Sequence, residues 1–372
     1  MPLGLADKSA THVFDMQVAA MKEKCLTDFG IIGAAGYNTI DMIPELHRKG
    51  CIAFKTFMTN PPEEEAELQS LAAKNDYYLL KIFSEIAKTG LVASVHAEND
   101  SIIAHEISHI QSAGRKDFHA HTESRPPIAE DEACARAIVL GHHTQVKLNL
   151  VHMSSKNSFE YIRAAKAKGY NVTCEITPHH LVLTSEDGAR IGAWAKVDPP
   201  LRSRDHVDAA WKALANGTID MVASDHSPYG HHEKEGTTIF ECSSGTPGVE
   251  TLRPVLLDAV CNQRLSLKRL VETTARTPAQ RFGLYPKKGV IAVNADADLV
   301  IVDMKKTYTL KNENMFTKPH ITVFHGRVIQ GAIEKTMVRG SVVYDEGEFC
   351  VTKGYGTFVT PEPPDITPSS QQ

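Results

Sequence analysis

The chain has 372 residues, 42% of them hydrophobic and 23% charged, with a formal net charge of −5. That length holds one large α/β domain with room for a small second one, and the composition is that of an ordinary globular protein. No Lys/Arg block stands out and no apolar stretch reaches about 18 residues, so neither nucleic acid nor a membrane span is expected.

The opening MPLGLADKSATHVFD lacks the basic start and apolar core of a signal peptide. Short apolar runs then alternate with longer amphipathic segments. Strands are predicted at Phe29–Ala35, Cys51–Met58, Leu91–Glu98, Lys147–Ser154, Asn171–Thr177 and Ile219–Asp225. Between them lie helical segments such as EEEAELQSLAAKNDYYLLKIFSEIAKTG and SFEYIRAAKAKG, each closed by a glycine. This alternation predicts a parallel sheet, either doubly wound or wrapped as a (β/α)8 barrel. No glycine-rich phosphate loop follows the first strand, which argues against nucleotide binding. Beyond Asp225 comes the glycine-rich SSGTPGVET, then helices across Leu252–Phe282. From about Lys288 to residue 349, short β-like runs with turn residues predict a small all-β unit. The Pro/Ser-rich remainder, 350–372, is expected to be disordered or draped over a neighbour. Seven scattered cysteines without a CxxC predict a reducing, cytoplasmic setting and no cysteine zinc site.

One run carries an anomaly. GCIAFKTFMTN has the apolar character of a buried parallel strand, yet Lys55 sits in its middle. A buried, unpaired ammonium is costly, and burial lowers its pKa. His96 in SVHAEN, His152 in LVHMSS and Asp225 in ASDHSP also lie near strand ends, each on a different strand. The C-terminal rim of such a sheet is where α/β proteins place their chemistry. Singly, each residue reads as a satisfied polar group, an ion pair or a helix cap. Together, two histidines and a carboxylate form a transition-metal donor set.

From about Phe29 to Asp303 the chain resembles the cyclic amidohydrolases: dihydroorotases, hydantoinases and dihydropyrimidinases, and allantoinases. The resemblance runs through GCIAFKTFM, VHAEN, SRPP, LVHMSS, CEITPHHLVLT, VDPPLR, GTIDMVASDHSP, GTPGVET, TPAQRFGLYPKKG and ADADLVIVD. It implies a metal-dependent hydrolase built as a TIM barrel, with part of a small β-sandwich contributed by the C-terminal region. It further implies that Lys55 takes up CO2 and that its carbamate bridges two ions of zinc or a similar divalent metal. By the same resemblance, His96 and His152 bind one ion, while Asp225 binds the other and acts as general acid/base. Asn99, Asp198, Arg202 and Gly245 are the implied substrate contacts, with a helix cap, an ion pair and a turn glycine standing as alternatives for Asn99, Arg202 and Gly245. Glu175 reads as structural, and neither His179 nor His180 reads as a metal ligand.

The chain also departs from that pattern. The family's His-x-His at the end of its first strand has no counterpart, and the His119/His121 pair in FHAHTESRPP reads as an ordinary surface loop. With Lys55 on the fourth strand, the six predicted strands are the third to the eighth, and MPL resembles the end of the second. The expectation is an N-terminally truncated barrel over residues 1–287 with a weakened Asp225 metal. Its unpaired strand edges favour a homo-oligomer, dimer or tetramer, or aggregation. Tyr229 and Asp198 stand where dihydroorotases usually carry histidine and asparagine, and no tyrosine follows Lys55 closely as in hydantoinases. The expected substrate is a small cyclic amide of the allantoin or hydantoin type. Dihydroorotase activity and a non-catalytic subunit or scaffold are the alternatives.

Overall fold

A computed structural model describes residues 9–61 and 68–361 of the chain. Six strands form one parallel sheet in chain order: β1 (Ile32–Ala34), β2 (Ala53–Phe57), β3 (Val92–His96), β4 (Lys147–Leu150), β5 (Val172–Ile176) and β6 (Met221–Val222). Each falls within a predicted run. Helices fill the connections. α1 (Ala10–Lys24) precedes the sheet, and α2 (Ile43–Arg48) and α3 (Asp76–Thr89) follow β1 and β2. Between β3 and β4 lie α4 (Asp100–Ser112), α5 (Phe118–Ser124) and α6 (Pro127–Thr144), and α7 (Lys156–Ala167) leads to β5. α8 (Pro178–Val182), α9 (Ser185–Ile191) and α10 (Arg204–Ala215) precede β6, and α11 (Val249–Cys261), α12 (Leu267–Val271) and α13 (Thr277–Arg281) follow it.

The central strands are buried on both faces, which is why they read as continuous apolar runs. α3 shows how the helices cover them. Leu79, Ile82, Phe83 and Ile86 recur at i, i+3, i+4 and i+7 and are all buried, while Asn75 caps the start and Gly90 ends the helix in a left-handed turn. The predicted helix from Glu63 is too long. Residues 62–67 lie outside the described residues, and Ala73 N donates to Phe57 O at 2.8 Å, drawing the chain along the end of β2 before the helix begins.

The small β unit is a four-stranded antiparallel sheet of β7 (Leu299–Thr309), β8 (Val328–Val338), β9 (Ser341–Asp345) and β10 (Glu348–Phe349) in the order β10-β9-β8-β7. It rests on α11, where Gly331 approaches Leu257 so closely that a Cβ would lie 3.0 Å from the leucine side chain. The tail needs a correction. Residues 350–361 are packed, because Phe358 meets Phe14 and Phe29 and the chain hydrogen-bonds on both sides of Phe29. Residues 362–372, and MPL at the start, lie outside the described residues. All seven cysteines are free. Among the described residues, no helix is long and apolar enough to cross a membrane.

Candidate metal centre

Parallel pairing brings the four singled-out residues to one rim. Lys55 lies beside Ser94, and Phe57 beside His96, in the β2–β3 register. His152 follows β4 by two residues, and Asp225 follows β6 by three. Both adopt left-handed backbone, with φ of 43° and 44°, a conformation that side chains other than glycine rarely hold outside functional sites and turns.

The histidines form a pair. His96 Nδ1 and His152 Nε2 are 3.2 Å apart, and the ring centroids are 4.7 Å apart. Two nitrogens each about 2.0–2.1 Å from one tetrahedral zinc stand roughly 3.3 Å apart, so this spacing suits a shared ion. His96 Nε2 meets Glu98 Oε2 at 2.7 Å, the carboxylate–histidine pairing that orients metal ligands. Burial holds the His152 imidazolium well below its ordinary range, so the ring is neutral, and among the described residues its Nδ1 has no hydrogen-bond partner.

Lys55 is buried and forms no ion pair among the described residues; its ammonium lies 5.1 Å from the centre of the Phe57 ring. Burial pushes its pKa down to about 8, against the pull of the Asp225 and Glu175 carboxylates. Burial raises both of those carboxylates, with Lys55 opposing. Glu175 accepts from Asn149 Nδ2 at 2.6 Å, which agrees with a supporting role. Two histidines, a carboxylate and a lysine lowered by burial thus stand together along the rim. The donors fit a divalent metal.

Of the implied substrate contacts, Asp198 lies nearest this chemistry. Burial disfavours its ionised form, but Arg125 and His121 outweigh that and hold it at about 2. Arg125 Nη2 reaches Asp198 Oδ2 at 2.9 Å, and His121 Nε2 lies 3.3 Å from Oδ1. Gly245 has φ of 151°, and a Cβ there would lie 2.5 Å from Ser227 Cβ and 2.7 Å from the Tyr229 ring. Asn99 is turned elsewhere: it caps α4 through Ile102 N, donates to Glu132, and lines a separate cleft with Asn60 and Arg136. Arg202 is buried in an ion pair with Glu130 and donates to Ser154 Oγ and Arg125 O. For these two residues the structure shows the cap and the ion pair.

His119 and His121 are not in a surface loop. They lie on α5, capped by Asp117, and Phe118, His121 and Ser124 form its buried face. His121 Nε2 meets Val197 O at 3.0 Å. The aspartate cap and the i, i+3 spacing are the sequence signals for this helix. His180 uses both ring nitrogens, on Thr177 Oγ1 and Pro199 O, as a scaffold residue would. Glu98 and Arg125 stand inside the VHAEN and SRPP motifs, but nothing in the sequence reveals their pairing.

A different cluster satisfies a simple proximity test for metal ligands. Among the described residues, only Asp28, Asp296 and Asp298 bring three acidic, histidine or cysteine ligand atoms within 4.8 Å of one another. Lys288 pairs with all three and Arg339 with Asp28, so cations already fill that space.

Known proteins resemble this chain along most of its length. The Amidohydrolase family model matches residues 60–343. An L-hydantoinase from Paenarthrobacter aurescens is 36% identical over 365 residues, covering 97% of this chain and 78% of that protein. An allantoinase from Rubrobacter xylanophilus is 36% identical over 352 residues (94% and 76%), and a dihydroorotase from Methanosarcina acetivorans is 35% identical over 356 residues (93% and 73%). The solved L-hydantoinase (dihydropyrimidinase) from Arthrobacter aurescens superimposes with a TM-score of 0.92 at 35% identity, covering 97% of this chain and 79% of that one. The chain belongs to the amidohydrolase family, and it is a hydrolase of cyclic amides.

Proposed function

We propose that the substrate is a hydantoin-, dihydropyrimidine- or allantoin-type ring, and that Lys55, His96, His152 and Asp225 hold the divalent metal, zinc or a similar ion. Enzymes of this family are generally metal-dependent. The observation that carries the reading is Lys55: a buried amine without an ion pair among the described residues, beside two carboxylates and the His96–His152 pair. A lysine lowered to about 8 exposes its neutral amine near physiological pH. That nitrogen can add CO2, forming an N–C bond and releasing a proton, which turns a buried cation into a carboxylate ligand.

A bound divalent cation supplies Lewis acidity toward a carbonyl oxygen and makes hydroxide available at neutral pH. The protein's own groups do the rest. Asp225, raised by burial, is suited to accept a proton from the attacking water and return it to the leaving ring nitrogen. His152 stays a neutral donor, and His96 is oriented by Glu98. Asp198 and Gly245 border the ring, while Asn99 and Arg202 support the frame. The seven free cysteines support a reducing compartment, the cytoplasm. Among the described residues no strand pairs with the outer edges of β1 and β6, which supports a homo-oligomer, and a solution mass measurement tests it.

The experiment is turnover of hydantoin, dihydrouracil, allantoin and dihydroorotate by chelator-free protein, with metal content read in parallel. The proposal expects turnover of one of the first three that falls with metal removal. Turnover of dihydroorotate alone overturns the substrate class.

A further inference from the structure

Arg125 and Glu98 carry no role in the function proposed above beyond the orientation of His96, yet they join its two halves. Glu98 is fully buried, and one oxygen, Oε2, accepts from His96 Nε2 at 2.7 Å and from Arg125 Nη1 at 2.6 Å. Its other oxygen has no hydrogen-bond partner among the described residues. Arg125 turns its second terminal nitrogen, Nη2, to Asp198 Oδ2 at 2.9 Å. One guanidinium therefore bridges the carboxylate behind His96 and the carboxylate on the substrate side. Its backbone is held as well, because Arg202 Nη1 donates to Arg125 O. The residue lies at the junction between α5 and the Pro126–Pro127 start of α6, which limits how far it can move.

The geometry has a chemical consequence at His96. A carboxylate oxygen can only accept, so its bond to His96 Nε2 requires the proton on Nε2, and in the neutral ring this puts the lone pair on Nδ1. That Nδ1 is the atom facing His152 Nε2 at 3.2 Å. Were Glu98 free to rotate, the ring could take the other tautomer and present an N–H to the metal. We propose that Arg125 is a positioning residue: it locks Glu98 against His96, keeps Nδ1 as the metal donor, and with the same fork fixes Asp198. The role needs arginine. A lysine ammonium is a point charge on a flexible stem and does not present two nitrogens in fixed directions to two carboxylates.

The proposal rests on the reading of His96 and His152 as metal ligands, and the test separates the two. Metal-free protein labelled with 15N-histidine reads the His96 tautomer by long-range 1H–15N correlation. Cobalt titration of the same protein reads affinity and, from the visible bands, ligand geometry. In Arg125→Lys, the expected results are mixed tautomers at His96, cobalt affinity lower by roughly 10- to 100-fold, and shifted bands. KM should also rise, because Asp198 loses its anchor. Glu98→Gln should change the tautomer and the affinity but leave KM alone. A folded Arg125→Lys with wild-type tautomer, affinity and spectrum overturns the positioning role. If Arg125→Lys does not fold, Arg125→Gln, which leaves Glu98 in place, takes its part. Its tautomer, cobalt affinity and spectrum then decide the question: changed values support the positioning role, and wild-type values overturn it. His152→Ala tests the ligand reading: loss of cobalt binding there supports it whatever Arg125 does, and wild-type binding sinks both.

Discussion

Two charged clusters in this protein use the same residue types to different ends. Where β1 begins, Lys288 Nζ lies 2.5, 2.8 and 2.7 Å from Asp28, Asp296 and Asp298. Asp28 also pairs with Arg339 and accepts from Thr357 N and Oγ1, both at 2.9 Å. That cluster ties the start of the sheet, the small β unit and the C-terminal segment together, and its carboxylates are matched by cations. At the other cluster, among the described residues, Lys55 has no ion pair, and His152 Nδ1 and Glu98 Oε1 have no hydrogen-bond partner. Buried polar groups are normally satisfied, so a cluster with unfilled valences marks a place built to receive something. Saturation separates a clamp from a site.

The sharpest way to break this contrast is to remove a group at each cluster and compare what is lost. Asp225→Asn should lower kcat by roughly 10²- to 10⁴-fold while the fold persists, as loss of a general acid/base does. Wild-type kcat would end its assignment. Lys55→Ala should strip the metal without unfolding the chain, and acetate or propionate should partly restore it by standing in for the carbamate. Wild-type metal content in Lys55→Ala would remove the bridging role. Asp28→Ala should do the opposite. It leaves Lys288 and Arg339 without their best-buried partner and should destabilise the protein by about 3 kcal/mol in urea unfolding, with metal content unchanged. An Asp28→Ala chain that lost metal but not stability would exchange the two labels.

The smallest expected effect is a pH dependence. Burial pushes His121 down to about 4, aided by Lys196 and Arg125 and opposed by Asp198. Unfolded, the same imidazole titrates near 6.5. Between those values the unfolded chain holds a proton that the folded one refuses, so stability rises with pH across the window and is lost as pH falls from about 6.5 to 4. His180, also pushed to about 4, adds a contribution of the same sign. His121→Gln should flatten the acid side of a stability–pH curve by up to one proton's slope. An unchanged slope would mean that His121 is not held neutral.

Buried parallel strands are continuous apolar runs, so the sheet is legible in the sequence and a lysine such as Lys55 inside one strand stands out. The βα alternation predicts the parallel sheet, and the observed chain-order arrangement of the six strands matches its barrel reading rather than the doubly wound one. What stays hidden is mostly long-range. Glu98, Arg125 and Asp198 are separated by 27 and 73 residues, and neither period nor composition reveals that one guanidinium spans the two carboxylates. α1 gives a weak signal because only Ala10, Val13 and Phe14 of its 15 residues are buried, so its apolar stripe is short. Residues 350–361 read as one tail with the Pro-rich end that follows them, yet they carry Tyr355 and Phe358, and Phe358 packs against Phe14 and Phe29. The same difficulty applies to His121, whose burial depends on contacts with Val197 and Asp198 from another part of the chain.

The most direct test is the number of divalent metal ions per chain, by plasma mass spectrometry on protein purified without chelators, in wild type and His152→Ala side by side. At least one ion per wild-type chain is expected, and its loss in His152→Ala. A metal-free wild type, or equal metal in both, would be incompatible with a metal centre at this rim.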